Sequence, residues 1–156
     1  MNQDDLIGYV GRVHGRTYEA AQLLNDDLLR WSPRAGEFTA AELALHIANT
    51  RLMTAGVIHG DGLHYAGSAV AAGRDRSWLL QTLLRSSKKT IARLVASDFD
   101  SPVTNAHGDK VPIWSMVLGG LIEHEAHHRS QLCEYLGMSG ITPPPLYGLH
   151  AEELPP

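Results

Sequence analysis

The sequence predicts an all-α protein: an up-down four-helix bundle with a long loop between its third and fourth helices and an irregular, proline-rich C-terminal tail. Three observations carry that expectation. Four segments place apolar residues at three- and four-residue steps, convincing β alternation occurs nowhere, and proline or glycine interrupts the pattern between segments. Segments of about 20 residues make helices roughly 30 Å long, which suits a bundle.

In the first segment, Leu6, Tyr9, Val10, Val13, Thr17, Ala20, Leu24 and Leu28 form one stripe. Pro33 and Gly36 break it. Thr39 then reads as an N-cap with Glu42 three residues on, the spacing of a capping box, and opens a second helix over about residues 40–59. Leu43, Ile47, Thr50, Met53 and Val57 define its inner face, and Gly60, Gly62 and Gly67 loosen the chain beyond it. A third helix starts near Asp75 or Ser77 and carries Leu80, Leu83, Leu84, Ile91, Leu94 and Val95 inward. Residues 99–111, with Pro102, Asn105, Gly108 and Asp109, read as a long turn or a short hairpin. The fourth helix begins near Pro112 or Ile113, where proline is tolerated in a first turn, and ends at Gly137 or at the latest Gly140. Pro143, Pro144 and Pro145 keep the start of the tail out of a helix.

Composition narrows the function classes. The 156 residues suit one domain, residues 1–156, and the 44% hydrophobic and 19% charged content is that of a globular chain. A net charge of −4 argues against a sequence-independent grip on nucleic acid, which needs a basic footprint. No apolar run approaches the ~20 residues that cross a bilayer, and the acidic start lacks the features of a signal peptide. A single cysteine, Cys133, leaves no intrachain disulfide or cysteine-rich zinc site and points to a reducing cytoplasm. The nine histidines remain to be explained.

A helical wheel at about 100° per residue sorts them. In the fourth helix Trp114, Val117, Leu118, Leu121, Leu132, Tyr135 and Leu136 mark the apolar stripe. His128 falls inside it, His124 on its border and Glu125 near its centre; His127 lies on the flank and Glu123 faces away. Histidines at i and i+4 stack on one face, close enough to share a metal at ~2.0–2.1 Å per bond. His46 lies within the inner stripe of the second helix, so three imidazoles from two helices can converge inside the bundle. A lone inward histidine is ordinarily a core residue with one hydrogen bond, but several neutral rings sharing a dry site need more partners than that. The run from His124 to His128 also spells H-E-x-x-H, the metalloprotease motif. Its context is absent: no sheet is expected, and Gln131 and Glu134 stand where the extended motif needs glycine and histidine.

The chain resembles the DinB/YfiT-like family of metal-binding four-helix bundles along its whole length. The matching residues are Trp31 to Pro33, Phe38 to Ala48 around His46, Ile122 to Leu132 around the histidine pair, and Gly140 to Gly148. Ser130 departs from the glycine that is usual in the family after the His-Arg step, a change a helix tolerates. The resemblance implies that His46, His124 and His128 bind one divalent metal, Zn²⁺ or Ni²⁺, with water completing the site, and it gives His127 no ligand role. It also implies a small-molecule substrate and transfer of a low-molecular-weight thiol of the bacillithiol or mycothiol type to electrophiles. Metal-dependent hydrolysis is the alternative activity, and a non-catalytic metal-binding bundle the competing class. An open three-histidine site serves either chemistry.

Glu125 is expected to orient His46 or another ligand through a ring N–H, or else to act as a general base. Arg129 and Gln131, following the ligand pair, read as substrate contacts, with surface solvation the favoured role for Arg129, while Cys133 is not needed and reads as a packed or idle thiol. The tail around Pro144 and Tyr147 is expected to close over the open end of the bundle, by analogy with the family. Leu45 and Leu52, on the far side of the second helix from His46, suit a homodimer seam or packing beneath a long loop.

Overall fold

A computed structural model describes residues 2–71 and 73–148. Its helices are α1 (Gln3–Ala21), α2 (Asp26–Leu29), α3 (Ala40–His59), α4 (Arg76–Val95), α5 (Ile113–Met116) and α6 (His124–Met138). A π-helical segment, Val117–Glu123, joins α5 to α6 without a break. Strands β1 (Pro102–Thr104) and β2 (Lys110–Pro112) form one antiparallel hairpin, pairing Val103 with Val111. The four-helix bundle is therefore present, built from α1, α3, α4 and the α5–α6 rod.

Capping explains where these helices begin. Thr39 accepts from the Glu42 N–H while Glu42 reaches back to the Thr39 N–H, completing the capping box at the start of α3. Asp75 caps α4 in the simpler way, accepting from Trp78 N–H. Gly60 ends α3 in the left-handed conformation, at φ 88°, which a side chain would strain. The first segment is two helices rather than one stripe. Asn25 accepts from Leu28 N–H and starts α2 afresh, yet Leu24 and Leu28 stay buried.

The simple up-down alternation is not what the chain adopts. Arg51 of α3 reaches Leu83 O, and Thr90 reaches back to Arg51 O, while Gly56 lies beside Arg93. Both helices advance together in these contacts, so α3 and α4 run parallel. Gln3 bonding Ser97 O sets α1 antiparallel to α4. Tyr135 bonding Phe38 O does the same for α6 and α3. A parallel pair needs a connection that returns the length of a helix. Residues 60–75 supply it, since extended chain advances about 3.3–3.6 Å per residue against 1.5 Å in a helix. A long extended excursion thus lies between the second and third long helices, and the expected long loop between the third and fourth is also present, residues 96–112, with the β1–β2 hairpin inside it.

Apolar packing splits into two clusters. Leu24, Leu43, Leu79, Leu83, Leu132 and Leu136 fill one end of the bundle, and Leu6, Val10, Leu94, Phe99, Val117 and Leu121 the other. Between them lies a buried polar layer of His14, Thr17, Arg51, Ser86, Thr90, Glu125 and Arg129. This layer corrects several expectations. On α4 the inward stripe is Leu79, Leu83, Ser86, Thr90 and Leu94, whereas Leu84 and Val95 are 41% and 64% exposed. Ser86 and Thr90 face inward because Leu83 O, Arg51 O and the Arg51 guanidinium bond them. Arg129 is buried, not solvated, and donates to Val13 O and Tyr147 Oη. Trp114, placed on the inner stripe by the wheel, is 45% exposed. The π segment explains it: the underwound turn keeps residues four apart on one face, so Ile113, Val117, Leu121, Glu125 and Arg129 are buried in succession. Leu45 is buried within its own chain and so offers no surface to a seam.

Candidate metal centre

His46 projects from α3, and His124 and His128 from successive turns of α6. The π segment ends immediately before His124 and sets the phase at which α6 presents its first turns. His46 Nε2 lies 3.2 Å from His124 Nε2 and 3.1 Å from His128 Nε2. All three rings are partly buried. The structure thus brings together the three histidines that the wheel singled out. His127, one residue away, is exposed, and its ring packs edge-on against His128.

Hydrogen bonds outside the cluster set the rings' tautomers. His128 Nδ1 donates to Gln131 Oε1 at 2.6 Å, which leaves its Nε2 lone pair facing the other two rings. His46 Nδ1 meets Tyr65 Oη at 2.6 Å, and its ring stacks on Phe38. His46 Nε2 faces two nitrogens and carries at most one proton, so ring-to-ring hydrogen bonds cannot satisfy both contacts. A cation satisfies all three. Ligand nitrogens bonded at ~2.0–2.1 Å with tetrahedral angles stand about 3.3–3.4 Å apart, close to the spacing seen.

The electrostatics keep the rings neutral, as metal ligation requires. Burial pushes His46 below the usual imidazole range, helped by the charge His128 would carry. Burial and the two neighbouring rings push His124 down to about 4. Burial also lowers His128, against the raising effect of Gln131.

Glu125 sits elsewhere than expected. Its carboxylate takes two hydrogen bonds from Arg51, at 2.7 and 2.5 Å, and one from Thr17 Oγ1 at 2.5 Å. Those partners hold it in the bundle's centre rather than on His46, His124 or His128. Burial pushes the Glu125 carboxyl up, but the charge and hydrogen bonds of Arg51, with the hydrogen bond from Thr17, outweigh it and keep the group ionised. His14 Nε2 is 3.5 Å from the same carboxylate, yet burial and Arg51 lower this histidine to about 3, so the pair is not ionic near neutrality. Gln131, expected at the substrate, instead orients a candidate ligand; its i+3 spacing from His128 was the available signal. Tyr65 sits in the long excursion after α3, where no periodicity announces it. Burial raises the Cys133 thiol above its usual range. Tyr147 takes a hydrogen bond from Arg129 and lies under the Arg16 guanidinium, so it packs on α1 and α6; residues 149–156 fall outside the described part of the tail.

A cavity of about 440 Å³ opens on His46 and His124, bounded by α3, the π segment, Tyr65 and the hairpin turn. Among the described residues no helix is long and apolar enough to cross a membrane.

Comparison with known proteins matches residues 10–132 to the DinB superfamily model. The protein YjoA of Bacillus subtilis is 27% identical over 134 residues, covering 84% of this chain and 86% of YjoA. The crystal structure of that DinB-like protein superposes with a TM-score of 0.75 at 22% identity, over 92% of this chain and 97% of the other. A DinB-like protein from Bacillus cereus gives 0.74 at 19% identity, over 92% and 98%. YfiT from Bacillus subtilis, described as a probable metal-dependent hydrolase with an unusual four-helix bundle topology, gives 0.67 at 17% identity, over 90% and 89%.

Proposed function

The chain belongs to the DinB superfamily, and from that membership and the converging imidazoles we propose that it is a metal-dependent enzyme transferring a low-molecular-weight thiol to an electrophile. One observation carries the reading: three Nε2 atoms within 3.1–3.2 Å of His46 Nε2 or belonging to it, at the mouth of a cavity. His46, His124 and His128 would hold one divalent ion, Zn²⁺ or Ni²⁺, and leave at least one coordination position toward the cavity. When bound, such an ion lowers the pKa of a coordinated water or thiol and so supplies a nucleophile near neutrality.

The protein's own groups contribute orientation. Gln131 holds the proton of His128 on Nδ1, and Tyr65 and Phe38 fix the plane of His46. Glu125, held by three hydrogen bonds from Arg51 and Thr17, has no part as a proton acceptor in either chemistry, so the preference for thiol transfer over hydrolysis rests on the resemblance to the DinB/YfiT-like family. Hydrolysis is the second reading, supported by the description given for YfiT. A cytoplasmic setting and a homodimer accompany the proposal as expectations of the sequence.

Absorption of the Co²⁺-substituted protein tests the open position: added thiol shifts the visible bands and supports turnover of an electrophile. His128→Ala removes both effects. Ester or amide hydrolysis that is metal-dependent and indifferent to thiol overturns the transferase reading in favour of the second.

A further inference from the structure

The cavity beside the imidazoles has a chemistry of its own. Met53 and Val57 of α3, Leu63 of the following excursion and Met116 of α5 line it, with the backbone of Gly119 and Gly120 between them. No Asp, Glu, Lys or Arg is among its lining residues, although the chain is 19% charged. A charged group placed there would lose water without gaining an oppositely charged side chain, the polar lining being limited to neutral groups such as Thr50, Asn105 and Ser115. The cleft of about 460 Å³ between residues 33–38 and α6 contrasts with it. That cleft carries Arg34, Glu37 and Glu134, and none of the three imidazoles lines it.

We infer that the 440 Å³ cavity seats an uncharged, apolar portion of the substrate, an alkyl or aryl group, with its reacting end at His46 and His124 and with Met53 and Gly119 in the wall around it. The volume lies in the range of small-molecule sites. The two wall glycines differ in the room beside them. A Cβ on Gly120 would meet Thr54 Cγ2 at 3.1 Å, so the π segment lies tight against α3 there. A Cβ on Gly119, one residue earlier, would meet nothing within 4 Å, so a larger side chain fits at that point of the wall without a clash. The inference rests on the metal-centre reading only for which end of the substrate reacts.

The test uses n-alkyl hydroxamic acids from acetyl to octanoyl, titrated calorimetrically into zinc-loaded protein. Affinity should rise about fourfold per methylene until the cavity fills, the gain from burying one CH₂. Gly119→Leu should weaken the octanoyl compound about fifteenfold, the loss of roughly two buried methylenes, and leave the acetyl compound unchanged. Met53→Ala should extend the rise to longer chains. His128 does not line the cavity, so His128→Ala should lose zinc and weaken every member of the series alike, with the methylene increment intact. Affinity that is flat along the series, or unchanged in both Gly119→Leu and Met53→Ala, overturns the cavity assignment; zinc content and acetohydroxamic acid binding then report the metal reading separately. A wild-type protein that takes up no zinc but retains the increment contradicts the metal reading and leaves the cavity assignment standing.

Discussion

His124 and Glu125 are neighbours in sequence, yet they belong to two polar clusters built on opposite principles. Glu125 lies in a closed layer, 1% exposed, with both carboxylate oxygens bonded by Arg51 and Thr17. His124 lies in an open one, where three half-buried rings turn nitrogens toward each other and toward a cavity. A cluster whose members satisfy one another specifies the fold and has no valence left for chemistry. A cluster whose members leave one another unsatisfied is poised for a ligand. Within the closed layer His14 Nε2 is the buried side-chain atom without a hydrogen-bond partner, and the low pKa of that ring, about 3, keeps it neutral there.

Breaking the closed layer should have the largest effect on folding. Glu125→Ala strands the Arg51 guanidinium in the core and should cost about 3–5 kcal/mol, read by urea denaturation of metal-free protein. Replacing Arg51 and Glu125 together by leucine should recover most of that loss, because the stranded charge goes with its partner. A Glu125→Ala protein as stable as the wild type would show that the layer does not hold the bundle.

Acid strains both clusters next. His14 and His124 have folded pKa values of about 3 and 4, below the ~6.5 of the unfolded chain. The unfolded state therefore binds more protons between those limits, and stability rises with pH across the window. Metal-free protein should be most stable above pH ~6.5 and lose stability as pH falls toward 4, by about 1.4 kcal/mol per pH unit for the buried His14 and by less for His124, which solvent screens. His14→Gln should flatten its share of the slope. Thermal melts at a series of pH values check this, and a profile flat from pH 7 to 4 contradicts the assignment of neutral buried rings.

How much of this contrast the sequence discloses depends on range. The Thr39–Glu42 box, the Asp75 cap and the i, i+4 histidine pair are local patterns, and each stands where the sequence places it. The partners of Glu125 are not local: Arg51 is 74 residues away and Thr17 108. A helical wheel shows that a carboxylate points inward but not what meets it. Trp114 fails for another reason, since the wheel assumes one pitch and the π segment changes it. Tyr65 reaches His46 from an extended connection that has no period to read. Helix direction is equally hidden, because residues 60–75 would also serve an antiparallel turn.

Smaller changes sharpen the open cluster. Gln131→Ala removes the acceptor that holds the His128 proton on Nδ1 and should weaken zinc binding by roughly 10–100-fold while leaving metal-free stability nearly unchanged. Competition against a chelator of known affinity reads it. The smallest effect belongs to His127→Ala: an exposed ring outside the cluster, its loss should move stability by less than about 0.5 kcal/mol and leave metal affinity alone.

The central claim is that His46, His124 and His128 form one metal centre. Elemental analysis of purified wild type and of the four single alanine variants at His46, His124, His127 and His128 tests it directly. The account predicts one tightly held divalent ion per chain in wild type and His127→Ala, and none in the other three. Full metal content in His46→Ala, or its loss in His127→Ala, would contradict it.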